Sequence, residues 1–358
     1  MNTFKYSEYN QDGAPIPMLP GPVYVPTPVL QAMAHDLDAG HSEDEHLALY
    51  RSVAAKIALL AGTRNDVAIM TGEGMLVLWS ALKSLLQPGD KLLCVDTGVF
   101  GAGFADMARS MGCEARLMNF SADTTINLDG CLEKIEAAIR DFQPKMITAV
   151  HCETPSGALN PLAELGALKK RLNVPLLCVD AVSSIGGTRI EADEWQIDLL
   201  LGGTQKCLSA PPSISFCTVS PRAWDEAKTV NYQGYDALLP FQKLSGKYPF
   251  PYSPYRQGTA ALDKALDIIL EEGLENVLAR HQAVAGQCRE ALQKLGVKLY
   301  LQPGSVHSPT VTCAYIPHPD GASWLQRCRA KGLNCGTGLL DMETKLFRLG
   351  HMGAQADS

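Results

Sequence analysis

Several features that membrane, secreted and nucleic-acid-binding proteins usually have are missing from the sequence. No uncharged apolar run approaches the length of about 20 residues that a helix needs to cross a bilayer. Residues 1–13 are polar and contain no apolar signal-peptide core. The 31 Lys and Arg residues are outnumbered by 38 Asp and Glu residues, and the net charge of −7 argues against a broad surface for nucleic acid or anionic lipid. These absences predict a cytoplasmic protein that binds neither membranes nor nucleic acid.

Redox and metal-binding motifs are also absent. The 11 cysteines form no Cys-x-x-Cys pair and lie in apolar runs, as Cys94 does, which predicts small core residues in a reducing compartment. His35, His41 and His46 lack the tight spacing of metal ligands, so a solvated acidic helix face is the simpler interpretation and no metal is expected. No Gly-x-Gly-x-x-Gly follows a first strand, which argues against a nicotinamide dehydrogenase.

What is present is a globular composition with a regular alternation of elements. The chain has 358 residues, of which 46% are hydrophobic and 19% charged, enough for a sizeable core. Helical stretches separate short apolar runs, which predicts an α/β fold with a mainly parallel sheet between helices. The predicted strands are residues 91–95, 114–118, 146–150, 176–179, 198–201 and 213–219, and the helices between them are 75–86, 102–111, 128–139 and 162–172.

The two ends of the chain differ from this alternating middle. Residues 18–28 are rich in proline and predict an extended arm, and residues 29–60 look helical. Residues 260–295 predict one long helix, followed by a small α+β domain that stops soon after a strand, so we expect a further terminal helix in a longer chain. The predicted divisions are an N-terminal arm at 1–28, a large domain at 29–258 and a small C-terminal domain at 259–358.

Chemically distinctive residues follow two neighbouring predicted strands. Asp180 comes directly after one strand, and Lys206 follows the next strand and a Gly-Gly pair. The carboxyl ends of parallel strands meet at one edge of a sheet, where ligands bind. A buried aspartate that pairs with a protonated ring nitrogen keeps a pyridinium cationic, and a nearby lysine can form an imine and carry protons. The pair therefore predicts a pyridoxal-phosphate enzyme.

Two further segments fit the same cofactor. Gly72 and Gly74 stand at the start of a predicted helix, where backbone N–H groups can approach a phosphate. Phe100 follows a neighbouring strand and could stack on the ring. Each signal alone has an ordinary structural explanation, such as a surface position for Lys206 or a core position for Phe100. Their occurrence together, in this order, favours the cofactor site.

These segments resemble the class V aminotransferases of fold type I, in the alanine–glyoxylate and serine–glyoxylate group. The resemblance extends from Leu19 to Gly353. It implies a large domain with a mainly parallel seven-stranded sheet between helices, a small α+β domain, pyridoxal 5′-phosphate as cofactor, and a homodimer with shared active sites. The matching segments are residues 19–22, 40–41, 71–75, 179–184, 203–212 and 347–353, of which 179–184 and 203–212 are the most specific.

The resemblance also implies a role for individual residues. Lys206 is the implied imine-forming lysine, and Asp180 is the implied partner of the ring nitrogen. Arg348 is the implied ligand of the substrate carboxylate, with a surface ion pair as the alternative. The other implied cofactor contacts are Glu73, Gly74, Met75, Phe100, Thr154, Ser183 and Gln205, with Ser253 reaching the phosphate of the partner subunit, and Gly40 and His41 form the implied loop near the substrate.

Two positions depart from the family pattern, and they favour different substrates. Glu73 replaces a small polar residue of many relatives, and a carboxylate beside a phosphate is costly unless it is paired or points elsewhere. The same feature occurs in pyridoxamine–pyruvate aminotransferase, for which free pyridoxamine is a substrate. That enzyme has a second arginine where this chain has Leu339, which favours an ordinary amino-acid substrate here.

The expected activity is transfer of an amino group from a small amino acid, of the alanine or serine type, to glyoxylate or pyruvate by a ping-pong mechanism. Pyridoxamine–pyruvate transfer is one alternative. A cysteine desulfurase or related lyase is another, with Cys328 or Cys335 as its nucleophile, although that group usually has histidines where this chain has Gln205 and Phe100. A non-catalytic binding protein on the same fold is a third alternative, which the Asp180–Lys206 pair disfavours.

Overall fold

The computed structural model describes residues 16–35, 43–245 and 250–356, and its strands fall into three sheets. The strands are β1 (Ile16–Met18), β2 (Asp66–Thr71), β3 (Lys91–Asp96), β4 (Glu114–Asn119), β5 (Met146–Val150), β6 (Cys152–Glu153), β7 (Ala158–Leu159), β8 (Leu176–Asp180), β9 (Leu199–Gly203), β10 (Ile214–Val219), β11 (Val311–Tyr315), β12 (Leu333–Thr337) and β13 (Leu346–Gly350).

Helices connect most of these strands along the chain. The α-helices are α1 (Thr27–His35), α2 (Glu43–Ala61), α3 (Gly74–Leu85), α4 (Val99–Ser110), α5 (Cys131–Phe142), α6 (Ala163–Arg171), α7 (Pro221–Val230), α8 (Arg256–Glu272), α9 (Leu274–Lys294) and α10 (Gly321–Ala330). Short 3₁₀ helices occur at Leu239–Ser245, Leu340–Met342 and Gly353–Gln355.

The largest sheet has seven strands in the order β2-β10-β9-β8-β5-β3-β4. The pairs from β9 through β8, β5 and β3 to β4 are parallel, whereas β10 is antiparallel to both β9 and β2. The predicted α/β fold with a mainly parallel sheet is therefore confirmed. The carboxyl ends of β8 and β9 lie side by side, because Asp180 is in register with Leu201.

Both faces of this sheet are covered, which explains why its central strands are predominantly apolar. Along β8, Leu177 and Val179 belong to one hydrophobic cluster, which α2, α5, α6 and α8 complete. Leu176 and Cys178 belong to the cluster on the other face, completed by α3, α4 and α7. A strand that is buried on both faces shows no polar alternation. The rigid sheet then holds the strand-end residues in fixed positions.

The small sheet joins the two ends of the chain. Its order is β1-β12-β13-β11, so that the N-terminal arm pairs in parallel with β12, and β13 is antiparallel to β12 and β11. Part of the predicted extended arm is thus a strand. The arm brings residues 19–22 next to the C-terminal strands, whereas the domain boundaries drawn above stay a prediction.

The prediction of one helix over residues 260–295 is wrong. Gly273 separates α8 from α9, and its φ of +88° lies in the left-handed region that side chains other than glycine rarely adopt. The sequence pattern missed this break because a single glycine in an apolar–polar repeat is often tolerated inside a helix. At residues 29–60, α1 and α2 account for the described part, and residues 36–42 lie outside it.

Among the helices that the structure describes, none is both long enough and apolar enough to span a bilayer. All 11 cysteines are free thiols. Most of them are buried, in keeping with their predicted place in the core.

Candidate active site

Asp180 ends β8 as a buried carboxylate that is only partly hydrogen-bonded. It is 6% exposed, and burial raises its pKa to about 6, although the Val182 N–H and the charge of Lys206 lower it. Its Oδ1 accepts a hydrogen bond from the Val182 N–H at 2.8 Å. Its Oδ2 has no hydrogen-bond partner among the described residues. One oxygen is therefore free to accept a proton or hydrogen bond from a ring nitrogen.

Lys206 lies three residues beyond the last residue of β9, in a confined space. Burial lowers the pKa of its amine, and the positive charge of Arg348 lowers it further. Its Nζ donates to the carbonyl oxygen of Pro20 at 2.5 Å. A lowered pKa increases the fraction of neutral amine, which is the nucleophilic form.

The N-terminal arm packs closely against this lysine. Gly21 has a φ of +94°, and a Cβ at that position would lie 2.4 Å from Cδ and 2.5 Å from Nζ of Lys206. Only glycine fits both the backbone conformation and the contact. The arm therefore forms one wall of the site, a role that proline content alone did not indicate.

Four of the residues that sequence analysis singled out border one cavity of about 360 Å³: Lys206, Phe100, Thr154 and Arg348. The Thr154 hydroxyl is hydrogen-bonded to the Ser183 hydroxyl, which adds a fifth predicted residue to the group. Leu339 also lines the cavity. The sheet thus brings together segments that are separated by more than two hundred positions in the chain.

Arg348 lies on β13 with its guanidinium partly held by backbone carbonyls. Its Nε donates to the Thr337 carbonyl at 2.6 Å, and its Nη1 donates to the Thr154 carbonyl at 3.3 Å. Its Nη2 has no partner, and no carboxylate pairs with it, among the described residues. Burial lowers its pKa from the ordinary value. The side chain is oriented and still has donors for a carboxylate, which argues against the surface ion pair considered above.

The start of α3 meets the turn after β9. Gly74 is the first residue of this 12-residue helix, and a Cβ there would lie 3.0 Å from Val182 and 3.5 Å from the Gln205 amide nitrogen. The Gln205 Nε2 donates to the Glu73 carboxylate at 3.3 Å, while its buried Oε1 has no partner among the described residues. Met75, in the first helical turn, is 39% exposed. Free backbone N–H groups at a helix start attract anions, although Glu73 adds a negative charge beside them.

Sequence analysis missed Glu153, which is 0% exposed. Its Oε1 accepts a hydrogen bond from the Gly101 N–H at 2.9 Å, in the first turn of α4, and its Oε2 has no partner in the part of the chain that the structure describes. Burial raises its pKa to about 8, and the nearby charge of Asp180 adds to the shift. A glutamate three residues beyond the end of β5 was the available signal. Glu153 supports the turn that carries Phe100.

Ser253, Gly40 and His41 are the remaining residues of the predicted site. Ser253 is exposed and lines a separate small cavity with Tyr50 and Phe250. Gly40 and His41 lie outside the described residues, so the structure does not place them.

The observed residues match what a pyridoxal-phosphate ring requires. Among the described residues, a buried carboxylate with one free oxygen, a lysine of lowered pKa, an aromatic ring, a helix start and an arginine with one free nitrogen lie around one site. Together they define the class of protein as a fold type I pyridoxal-phosphate enzyme.

The chain belongs to the class V aminotransferase family, because the family described as Aminotransferase class-V matches residues 20–339. It is 32% identical to a serine–glyoxylate aminotransferase of Arabidopsis thaliana, over 94% of this chain and 84% of the relative. It is 31% identical to a pyridoxamine–pyruvate transaminase of Mesorhizobium japonicum, over 86% and 79% of the two chains.

Solved structures agree with this family assignment. A pyridoxamine–pyruvate aminotransferase from Mesorhizobium loti superposes with a TM-score of 0.90 and 28% identity, covering 98% of this chain and 90% of that chain. An alanine–glyoxylate aminotransferase from Nostoc gives a TM-score of 0.87 at 28% identity, covering 97% and 92%. The predictions of an aminotransferase, of fold type I and of pyridoxal phosphate as cofactor are confirmed. This cofactor supplies an aldehyde that takes up an amino group and a ring that withdraws electrons from the reacting carbon.

Proposed function

We propose that the chain moves the amino group of a small amino acid to a small 2-oxo acid, glyoxylate or pyruvate, by a ping-pong mechanism. The observation that carries this proposal is the arrangement of Lys206, Phe100 and Arg348 around one cavity, with Asp180 next to the lysine. The names of the serine–glyoxylate and alanine–glyoxylate relatives support the choice of substrates.

Lys206 and Asp180 are the catalytic residues of this proposal. With the cofactor bound, Nζ of Lys206 would hold its aldehyde carbon as an imine, and the released amine would carry the proton that leaves the α-carbon of the substrate. Its lowered pKa suits an amine that must act as a base near neutral pH. Oδ2 of Asp180 would hold the proton on the ring nitrogen of the bound cofactor.

The other residues bind and orient. With the cofactor bound, Phe100 would stack on its ring, and Arg348 would bind the α-carboxylate of the substrate through Nη2. The hydroxyls of Thr154 and Ser183, which are hydrogen-bonded to each other, would bind the ring oxygen. Glu73, Gly74, Met75 and Gln205 would line the phosphate. Gly40 and His41 lie outside the described residues, and their contact with the substrate is part of the proposal.

We further propose a cytoplasmic homodimer. Ser253 is exposed and lines a cavity other than that of Lys206, which suits a residue that serves the phosphate of the partner subunit. The free state of all 11 thiols suits a reducing compartment. Sedimentation of the Ser253→Ala protein alongside the unchanged protein, with cofactor affinity measured for both, tests this part. A monomer, or an unchanged affinity, would contradict it.

The substrate assignment is tested by a half-reaction screen. The purified holoenzyme is mixed with alanine, serine or free pyridoxamine, and the visible band of the cofactor is followed. We expect alanine or serine to bleach the band and glyoxylate or pyruvate to restore it. An Arg348→Gln variant should keep the band and lose the response to amino acids. A band that responds to no amino acid would overturn the proposal.

One observation favours a second candidate, in which free pyridoxamine is the amino donor. The carboxylate of Glu73 lies at the start of α3, which would bind the phosphate, and accepts a hydrogen bond from Gln205 there. A negative charge there disfavours a phosphate and tolerates the neutral hydroxymethyl group of pyridoxamine. Turnover of pyridoxamine with pyruvate, and no turnover of any amino acid, would establish this candidate. A Glu73→Ser variant should then gain affinity for the phosphorylated cofactor.

The desulfurase alternative finds less support. Cys335 is buried on β12, and burial raises its pKa to about 11. Burial also raises the pKa of Cys328, which is half-buried on α10. A thiol nucleophile must reach the substrate as a thiolate, and neither position favours that form. Sulfide release from cysteine would reverse this preference.

A further inference from the structure

The substrate cavity has a second arginine that the proposed function leaves unused. Arg329, in the last turn of α10, lines the same cavity as Lys206 and Arg348. The twelve described residues that line this cavity include two arginines besides Lys206, and no aspartate or glutamate. Such a lining favours a ligand with more than one negative charge.

The guanidinium of Arg329 is available to a ligand. It is exposed, and it forms no hydrogen bond or ion pair with another described residue. Its charge reaches the buried thiol of Cys335, whose pKa it lowers against the larger effect of burial. Cys335 lies on β12, directly before Gly336, and both line the cavity. Arg329 therefore lies at the cavity and within electrostatic range of Cys335.

A simple structural role does not account for this position. A cation in the last turn of a helix stabilises the helix dipole, and Arg329 does so whichever way it points. Arg327 is in the same turn and also carries a positive charge, but it donates to the Ser323 hydroxyl at 2.6 Å and does not line the cavity. The two arginines therefore share a charge and a helical turn, but only Arg329 lines the cavity.

We infer that Arg329 binds a second carboxylate of the substrate, so that the preferred amino donor is a small dicarboxylic amino acid of the aspartate type. Arg348 binds the α-carboxylate and Arg329 binds the side-chain carboxylate. This inference rests on the proposed function and narrows its donor class. An acceptor with one carboxylate still fits, because it occupies Arg348 alone. Arginine suits this role because its fork matches a carboxylate in two hydrogen bonds.

Aspartate and asparagine give a matched pair of substrates, since they share a shape and differ in charge. We expect the unchanged holoenzyme to have a kcat/KM for aspartate about 10- to 100-fold above that for asparagine, the range that one charged hydrogen bond provides. Arg329→Gln should abolish this preference, mainly through KM for aspartate, and change kcat/KM for alanine less than about 3-fold. Arg327→Gln, which removes the same charge from the same turn, should leave kcat/KM for aspartate, asparagine and alanine unchanged.

A binding measurement keeps the inference testable even if turnover is absent. Succinate cannot be transaminated, and butyrate is its monocarboxylate counterpart. Calorimetry on the holoenzyme should give tighter binding of succinate than of butyrate, and Arg329→Gln should remove the difference. Equal losses for aspartate and alanine, or succinate binding that Arg329→Gln does not change, would overturn the inference. A cofactor band that no amino donor bleaches would instead overturn the proposed function, and the succinate result would still decide the role of Arg329.

Discussion

Glu153 is a buried acid beside the active site, and its side chain is uncharged below its pKa of about 8. Its folded-state pKa of about 8 exceeds the ordinary value of 4.5, because burial and the charge of Asp180 disfavour the carboxylate. The stability that it contributes is therefore complete below pH 4.5 and is lost as the pH rises through 8. Glu153→Gln keeps the shape and removes this titration.

The pH dependence of unfolding tests this assignment. We expect cofactor-free protein to lose about 2 kcal/mol more unfolding free energy between pH 6 and pH 9 than its Glu153→Gln variant. Urea titrations at both pH values measure the difference. Identical pH dependence of the two proteins would show that Glu153 is ionised in the folded state.

Asp180 is the residue on which the electron-withdrawing capacity of the ring depends. An asparagine at this position can accept a hydrogen bond but cannot hold a proton on the ring nitrogen by charge. We expect Asp180→Asn to bind the cofactor and to lose at least about 100-fold in kcat, of the order of 3 kcal/mol. Single-turnover absorbance with alanine measures the loss. Activity within about 3-fold of the unchanged protein would refute the role of Asp180.

At the scale of elements, the break between α8 and α9 depends on one glycine. Gly273 has a φ of +88°, and a Cβ there would meet Asn276 at 3.3 Å. We expect Gly273→Ala to lower the unfolding free energy by about 1 kcal/mol or more, because alanine disfavours this conformation. Gly286→Ala is the matched control inside α9, where a Cβ meets nothing within 4 Å, and it should stabilise the protein by about 0.5–1 kcal/mol. Thermal unfolding distinguishes the two, and a stabilised Gly273→Ala variant would contradict the account of the break.

The elements that sequence analysis predicted best are those buried on both faces of the large sheet. Strands such as β5 and β8 are apolar apart from Thr148 and the terminal Asp180, so they appear in the sequence as short apolar runs between helices. β2 and β12 were not predicted from the sequence. β2 begins and ends with exposed residues, and β12 is only partly buried. Pairing of β1 with β12 links residues more than three hundred positions apart, and no local pattern predicts it.

At the scale of the whole molecule, the site could be predicted because the order of strands and helices along the chain determines which strand ends are neighbours in the sheet. Asp180 and Lys206 follow adjacent parallel strands, so their proximity follows from the alternation of elements alone. The burial of Glu153 and the orientation of Arg329 depend on how separate segments pack, and the sequence contains no periodic sign of either. Glu73 was recognised in the sequence, but its contact with Gln205 required the structure.

The central claim is that Lys206 carries the cofactor, and chemical trapping tests it most directly. Borohydride reduction of the holoenzyme, followed by peptide mass mapping, identifies the lysine that is joined to the cofactor. The account predicts a single adduct on the peptide containing Lys206, and predicts neither adduct nor visible cofactor band in Lys206→Ala. An adduct on another lysine, or an unchanged band in Lys206→Ala, would contradict it.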